Sequence, residues 1–267
     1  MFRAKSLRYL VLAVTVLLLN AARADVLEDI LERGTLRIGV SLFRPWTMRD
    51  ASGELIGSEI DMGKQIAADM GVEPEFKVYV WEQIIQALQG GEIDVIAGGM
   101  AITPARALEV EFTRPYAESG VSLAANIRKT RNIDSLEALD DEKIVITTVA
   151  NTLADDVTER IFRKAQVRVL GTQEEAEQML LDGTAHAYVA GSPETTFLAL
   201  QHPDVVDLPL DELLLSASEA LAVRKGEQEW LNYLNAWIEA RKADHWLSVT
   251  RQYWFMTIDW MAQLAKE

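Results

Sequence analysis

The residues best placed to do chemistry in this 267-residue chain lie between Ile93 and Tyr116. The run Ile93-Asp-Val-Ile-Ala-Gly-Gly-Met-Ala-Ile-Thr-Pro-Ala-Arg106 carries an apolar strand into two glycines. A Thr-Pro helix start follows, with an arginine two residues into the helix. Bare backbone N–H groups, the positive end of a helix and a guanidinium fork thereby converge, which suits a carboxylate. The competing reading pairs Arg106 with Glu109 on the helix surface, an arrangement worth little. Other chemistries lack their residues. There is no Gly-x-Ser-x-Gly elbow, no phosphate-cradling glycine loop with a lysine, and no His-Glu-x-x-His. Zero cysteines exclude disulfides and thiolate metal sites, and the scattered His186, His202 and His245 make no zinc set, so neither metal nor cofactor is expected.

The elements that position this motif are preceded by residues 1–24, which read as an export signal. Arg3, Lys5 and Arg8 form a basic start, Tyr9 to Leu19 an apolar core too short to span a bilayer, and Ala22-Arg23-Ala24 a cleavage site. Cleavage leaves 22 Lys and Arg against 41 Asp and Glu, a net charge of −19. Such acidity argues against nucleic acid or anionic lipid as a partner.

After residue 24 the pattern is α/β. Leu36–Val40 reads as a strand. A helix with Ile60, Gly63, Ile66, Ala67 and Met70 on one face follows and stops at Gly71. Glu75–Val80 reads as a strand, Trp81–Gln89 as a helix and Ile93–Ala97 as a buried strand, the βαβαβ unit of a parallel sheet. The plan repeats with a strand at Lys143–Thr148, a helix at Leu153–Lys164, a strand at Val167–Leu170, a helix at Glu174–Leu181 and a strand at Ala187–Ala190. Extended crossings at Gly120–Asn126 and Glu219–Arg224 would insert the second unit within the first. The expected division is 25–121 with 222–267 as lobe one and 122–221 as lobe two. Between Glu227 and Trp260 lie five of the seven tryptophans. Trp230, Leu234, Trp237 and Ile238 have helical spacing and should pack on lobe one, and Trp246, Tyr253, Trp254 and Trp260 also read as packing.

Gly98-Gly99-Met-Ala-Ile-Thr-Pro-Ala-Arg106 with Glu111-Phe-Thr-Arg-Pro-Tyr116 resembles the periplasmic solute-binding proteins of polar-amino-acid ABC importers, the family 3 extracellular solute-binding proteins. The resemblance runs over nearly the whole chain after the signal. It implies a two-lobed α/β clamp, each lobe a mostly parallel sheet flanked by helices, joined by two crossover hinge strands. It implies a monomer in the periplasm that binds a small carboxylate or amino acid and presents it to an inner-membrane permease, without enzymatic activity.

By the same resemblance Arg106 clamps the ligand carboxylate, with the backbone N–H groups of Gly99 and Ala101. Ala101 stands where the family commonly has Ser or Thr. Trp81 and Phe43 wall the ligand, and Trp46 either joins them or belongs to the core. Asn151 and Thr152 occupy the donor turn of lobe two, where they also suit a helix N-cap. Gly191 stands where amino-acid binders carry the aspartate that holds the α-ammonium. Because a buried ammonium needs an anion, either Glu194, Glu118 or Glu59 substitutes, or the ligand lacks that group. Ser41 near the position of another aspartate speaks against a basic amino acid. An alternative on the same fold is a cyclohexadienyl (prephenate or arogenate) dehydratase, with Glu194 as its general acid.

Overall fold

A computed structural model describes residues 26–131, 133, 135–210 and 212–264. The export signal expected over residues 1–24 lies outside the described residues. Among the described residues no helix is long and apolar enough to cross a membrane.

Two sheets, each flanked by helices, make two lobes. The first has strand order Glu73–Val78, Thr35–Val40, Val95–Ile96, Ala222–Val223, Glu111–Phe112. Its first three strands are mutually parallel, and Ala222–Val223 runs against its neighbours. Leu36, Ile38 and Val40 alternate inward from the strand Thr35–Val40, as period-two spacing requires. Helix Ser58–Met70 covers them with Ile60, Ile66 and Ala67 and ends in the left-handed Gly71, φ 71°. Helix Trp81–Gln89 buries Ile84, Ala87 and Leu88. Helix Gln228–Ala243 buries Trp230, Leu234, Trp237 and Ile238 in the same core, as its spacing predicts.

The second sheet is built on the ten-residue strand Ala117–Asn126. Val206–Asp207 and Leu215–Glu219 pair with it antiparallel, and on its other side the order continues through Ala187–Gly191, Val145–Val149 and Gln166–Leu170. The last three strands are parallel, joined by helices Leu153–Ile161 and Gln173–Leu181. Ala117–Asn126 and Leu215–Glu219 are therefore the antiparallel pair by which the chain leaves the first sheet and returns to it.

Three details depart from the sequence pattern. The apolar run Ile93–Ala97 is buried throughout, yet only Val95–Ile96 joins the ladder. A short hairpin, Met48–Arg49 with Leu55–Ile56, precedes the first long helix. The C-terminal segment also reaches the other lobe: Trp260 meets Phe197 of helix Ser192–Gln201 edge-on at 5.0 Å, and Trp254 and Met48 complete that cluster. Trp254 and Trp260 are packing residues, as their spacing suggests, but they span both lobes.

Candidate functional site

A cleft of about 630 Å³, counting its open mouth, lies between the sheets. The loop after the first strand supplies Phe43 and Trp46, the start of helix Trp81–Gln89 supplies Trp81, and the glycine turn supplies Gly98, Gly99 and Ala101. Arg106, Thr152, Gly191 and Glu194 complete the wall from the two sides. Nine of the ten site residues named from the sequence line this one cavity, and Asn151 does not.

Arg106 is placed by local chemistry. Thr103 caps a one-turn helix, Pro104–Ala107, its hydroxyl accepting from the Arg106 N–H at 3.2 Å, and proline fixes the first turn. The guanidinium turns back to donate to the Ala101 carbonyl at 3.1 Å and across the lobes to the Asn151 carbonyl at 2.9 Å, and it lies over the Trp81 ring. Among the described residues it has no carboxylate within 4 Å, so the surface pair with Glu109 does not form. Burial lowers its pKa below the usual arginine value. A half-buried cation satisfied only by carbonyl oxygens is a site short of an anion.

Gly99 has φ +61°, and a Cβ there would lie 2.4 Å from the Trp46 indole nitrogen. Glycine takes this left-handed turn without steric cost, and its missing Cβ lets the backbone pass the ring. Trp46 is buried and packs edge-on against Phe255, while Phe43 and Trp81 meet edge-on at 5.6 Å.

Lobe two contributes differently from the sequence expectation. Asn151, at φ 59°, offers its main-chain carbonyl, which accepts from both Trp81 Nε1 at 3.1 Å and Arg106. Its role in this conformation is to join the lobes. The Thr152 hydroxyl donates to the Val149 carbonyl at 2.8 Å and accepts from the Asp155 N–H, so it serves the helix N-cap while lining the cleft.

Glu194 lies one turn beyond Gly191. Its carboxyl accepts from the Gly191 N–H at 3.2 Å and from the Tyr188 hydroxyl at 3.0 Å. A Cβ on Gly191 would stand 2.7 Å from Glu194 Oε1. The Glu194 carboxyl thus fills the space into which a longer side chain at 191 would project. Burial, with the charge of Glu177 second, pushes its pKa up to about 8, against the pull of the Tyr188 and Gly191 donors. Of the other acids named from the sequence, Glu118 is exposed and holds Ser218. Glu59 is 1% exposed and lines a smaller neighbouring cavity, not the cleft. Ser41 is buried, donates to the Tyr79 carbonyl and does not line the cleft.

Two features had no sequence signal. Glu219, 2% exposed, ends the return strand and lines the cleft, accepting from Trp46 Nε1 at 3.3 Å. Arg44, between the two aromatic wall residues, reaches across the lobes to Glu177, and its backbone N–H donates to Gln173 Oε1 at 3.0 Å. Gln173 Nε2 in turn donates to Glu177 at 2.7 Å. No local pattern marks either feature, because the partners lie more than a hundred residues apart.

Known proteins with this architecture put the site in context. The L-cystine-binding protein TcyJ of Escherichia coli (strain K12) is 23% identical over 235 residues, covering 88% of this chain and 87% of that protein. The cyclohexadienyl dehydratase of Pseudomonas aeruginosa is 21% identical over 256 residues, covering 94% and 95%. The crystal structure of a putative ABC-transporter binding component from Wolinella succinogenes DSM 1740, complexed with lysine, superposes with a TM-score of 0.82. It is 28% identical, over 86% of this chain and 99% of that one. The family model of the bacterial extracellular solute-binding proteins, family 3, matches residues 36–257, and the chain belongs to that family.

Proposed function

We propose that this protein captures an α-amino acid in the interlobe cleft and presents it, in the periplasm, to the permease of an ABC importer. The observation that carries this reading is the Arg106 guanidinium, half-buried in the cleft and held only by carbonyl oxygens. A carboxylate is the group that completes it, by charge-assisted and bidentate hydrogen bonds. Gly99 and Ala101 flank the carboxylate, and Phe43, Trp46 and Trp81 pack the ligand body. From lobe two, Glu194 takes the α-ammonium in place of the side chain that Gly191 lacks, and Asn151 and Thr152 close the clamp. The lobes, 25–121 with 222–267 and 122–221, move about the crossing strands. Ligand shifts the open–closed equilibrium because only the closed form makes both sets of contacts. The clamp acts as a monomer, and no reaction is required of it.

The test is a calorimetric titration of wild type and Arg106→Ala with a panel of α-amino acids. Stranding a buried carboxylate costs about 2–5 kcal/mol, a loss of affinity of roughly thirtyfold or more. An Arg106→Ala variant that binds as tightly as wild type removes the assignment.

A second reading, a prephenate or arogenate dehydratase, is favoured by one observation. Glu194, with a pKa pushed up to about 8, stands protonated in the cleft at neutral pH, as a general acid must. Incubation with prephenate decides between them: aromatic product that disappears in Glu194→Gln supports the enzyme, and its absence beside saturable amino-acid binding supports the carrier.

A further inference from the structure

Besides the Tyr188 phenol, which is bonded to Glu194, the wall of the cleft carries one guanidinium, Arg106, and two carboxyls, Glu194 and Glu219, that the ligand must match. If the α-carboxylate takes Arg106 and the α-ammonium takes Glu194, Glu219 is left facing the rest of the ligand. It is 2% exposed, and it is backed by Glu59, 1% exposed, across a smaller cavity of about 340 Å³ that both residues line. Glu59 accepts from the Tyr116 hydroxyl at 2.9 Å through Oε1, while Oε2 has no hydrogen-bond partner.

Cationic compensation for this pair is thin. Arg251 Nη1 stands 3.8 Å from Glu219 Oε2, and the same guanidinium donates to the Glu118 carbonyl and lies over the Phe255 ring. Two carboxyls against one shared guanidinium leave the end wall one positive charge short when both are ionised. Burial raises the pKa of both acids, and the Glu219 charge helps to push Glu59 up to about 8. A solute with a neutral side chain does nothing for that deficit. A solute with a second cationic group relieves it by direct contact with Glu219. Phe43, Trp46 and Trp81 line the same cleft, apolar surface that fits the methylenes of a long side chain.

We infer that Glu219, backed by Glu59, is the specificity-determining residue of the cleft and selects a basic α-amino acid, one carboxylate with two cationic groups. This rests on the amino-acid-binding reading above and names the substrate class of that same site.

The test compares isosteric pairs by isothermal titration calorimetry: lysine with norleucine, which lacks the terminal ammonium, and arginine with citrulline, which replaces the guanidinium by a neutral urea. Wild type should prefer the cationic member of each pair by about tenfold or more. Glu219→Gln should bring each ratio close to one, with folding checked by circular dichroism. Norleucine and citrulline binding wild type as tightly as lysine and arginine overturns the inference without any variant and leaves the amino-acid reading intact. A preference that survives in folded Glu219→Gln overturns the role of Glu219. Failure of every α-amino acid to bind removes the amino-acid reading itself, and this inference with it.

Discussion

The affinity for an α-amino acid should rise steeply with pH below 8, and Glu194 is the reason. In the ligand-free cleft its pKa stands at about 8, chiefly because burial disfavours the charged form and Glu177 adds a like charge. An ammonium held against it requires the carboxylate. Binding therefore expels a proton wherever the free protein still holds one, and the sign follows: affinity increases as pH rises towards the free-protein pKa and levels off above it. With a free pKa of about 8 and a complex that stays ionised throughout, the competent fraction is about 0.01 at pH 6 and about 0.5 at pH 8. That is a gain of about fiftyfold, or about 2.3 kcal/mol. At pH 7 about 0.9 of a proton should leave per ligand bound. The ligand for this test should have a neutral side chain, such as glutamine, so that Glu219 does not contribute. Calorimetric titration at pH 7 in buffers of different ionisation enthalpy gives the proton count directly, and titrations from pH 6 to 8.5 give the slope. Glu194→Gln should abolish both the proton release and the slope. A wild-type affinity that is flat across this range refutes Glu194 as the ammonium partner. An affinity that falls with pH also refutes it, and indicates a ligand that accepts a hydrogen bond from the protonated acid.

Two further outcomes follow from the same geometry. The Arg44–Glu177 pair joins the lobes without touching the cleft's interior, so Arg44→Ala should weaken ligand binding by roughly tenfold, with most of the change in the dissociation rate measured by stopped-flow; an unchanged dissociation rate shows that the pair does not hold the closed form. Gly99→Ala forces a side chain into φ +61° and into the Trp46 ring, which should lower stability by about 1–3 kcal/mol and the melting temperature by several degrees, with ligand affinity falling as Trp46 shifts; a variant melting with wild type contradicts the packing described.

The parts of the site that were legible in the sequence are those built by neighbours in the chain. Thr103 and Pro104 start a helix and so aim Arg106, and Trp81–Gln89 is bounded by a strand end and Gly90-Gly91. Each depends on a few adjacent residues, and both were placed from the pattern. The tryptophan spacing of Gln228–Ala243 fixed its buried face in the same way. What was hidden depends on pairs separated by a lobe. Glu59 meets Glu219 only because the chain leaves through Ala117–Asn126 and returns through Leu215–Glu219, and Arg44 meets Glu177 across the two lobes. Asn151 was hidden for another reason. Its place in the lobe-two turn suggested donors, while the group that joins the lobes is its carbonyl, which every residue carries and no sequence pattern reveals.

That carbonyl bears on how the clamp works. The Arg106 guanidinium joins the lobes by donating to Ala101 on one side and Asn151 on the other. A ligand carboxylate competes for the same N–H groups, so binding exchanges carbonyl acceptors for a charged one. What drives closure is the difference between the two sets of bonds. The bonds from the guanidinium to carbonyl oxygens already carry one charge and a carboxylate adds the second, so the exchange at Arg106 is worth only the difference between two charge-assisted sets, on the order of one to a few kcal/mol. On the proposed reading the rest of the energy of closure comes from Glu194 and Glu219, the two buried carboxyls that line the cleft, when a cation pairs with them. On that reading the carboxylate anchors the solute at Arg106, and the acids decide which solute shuts the clamp.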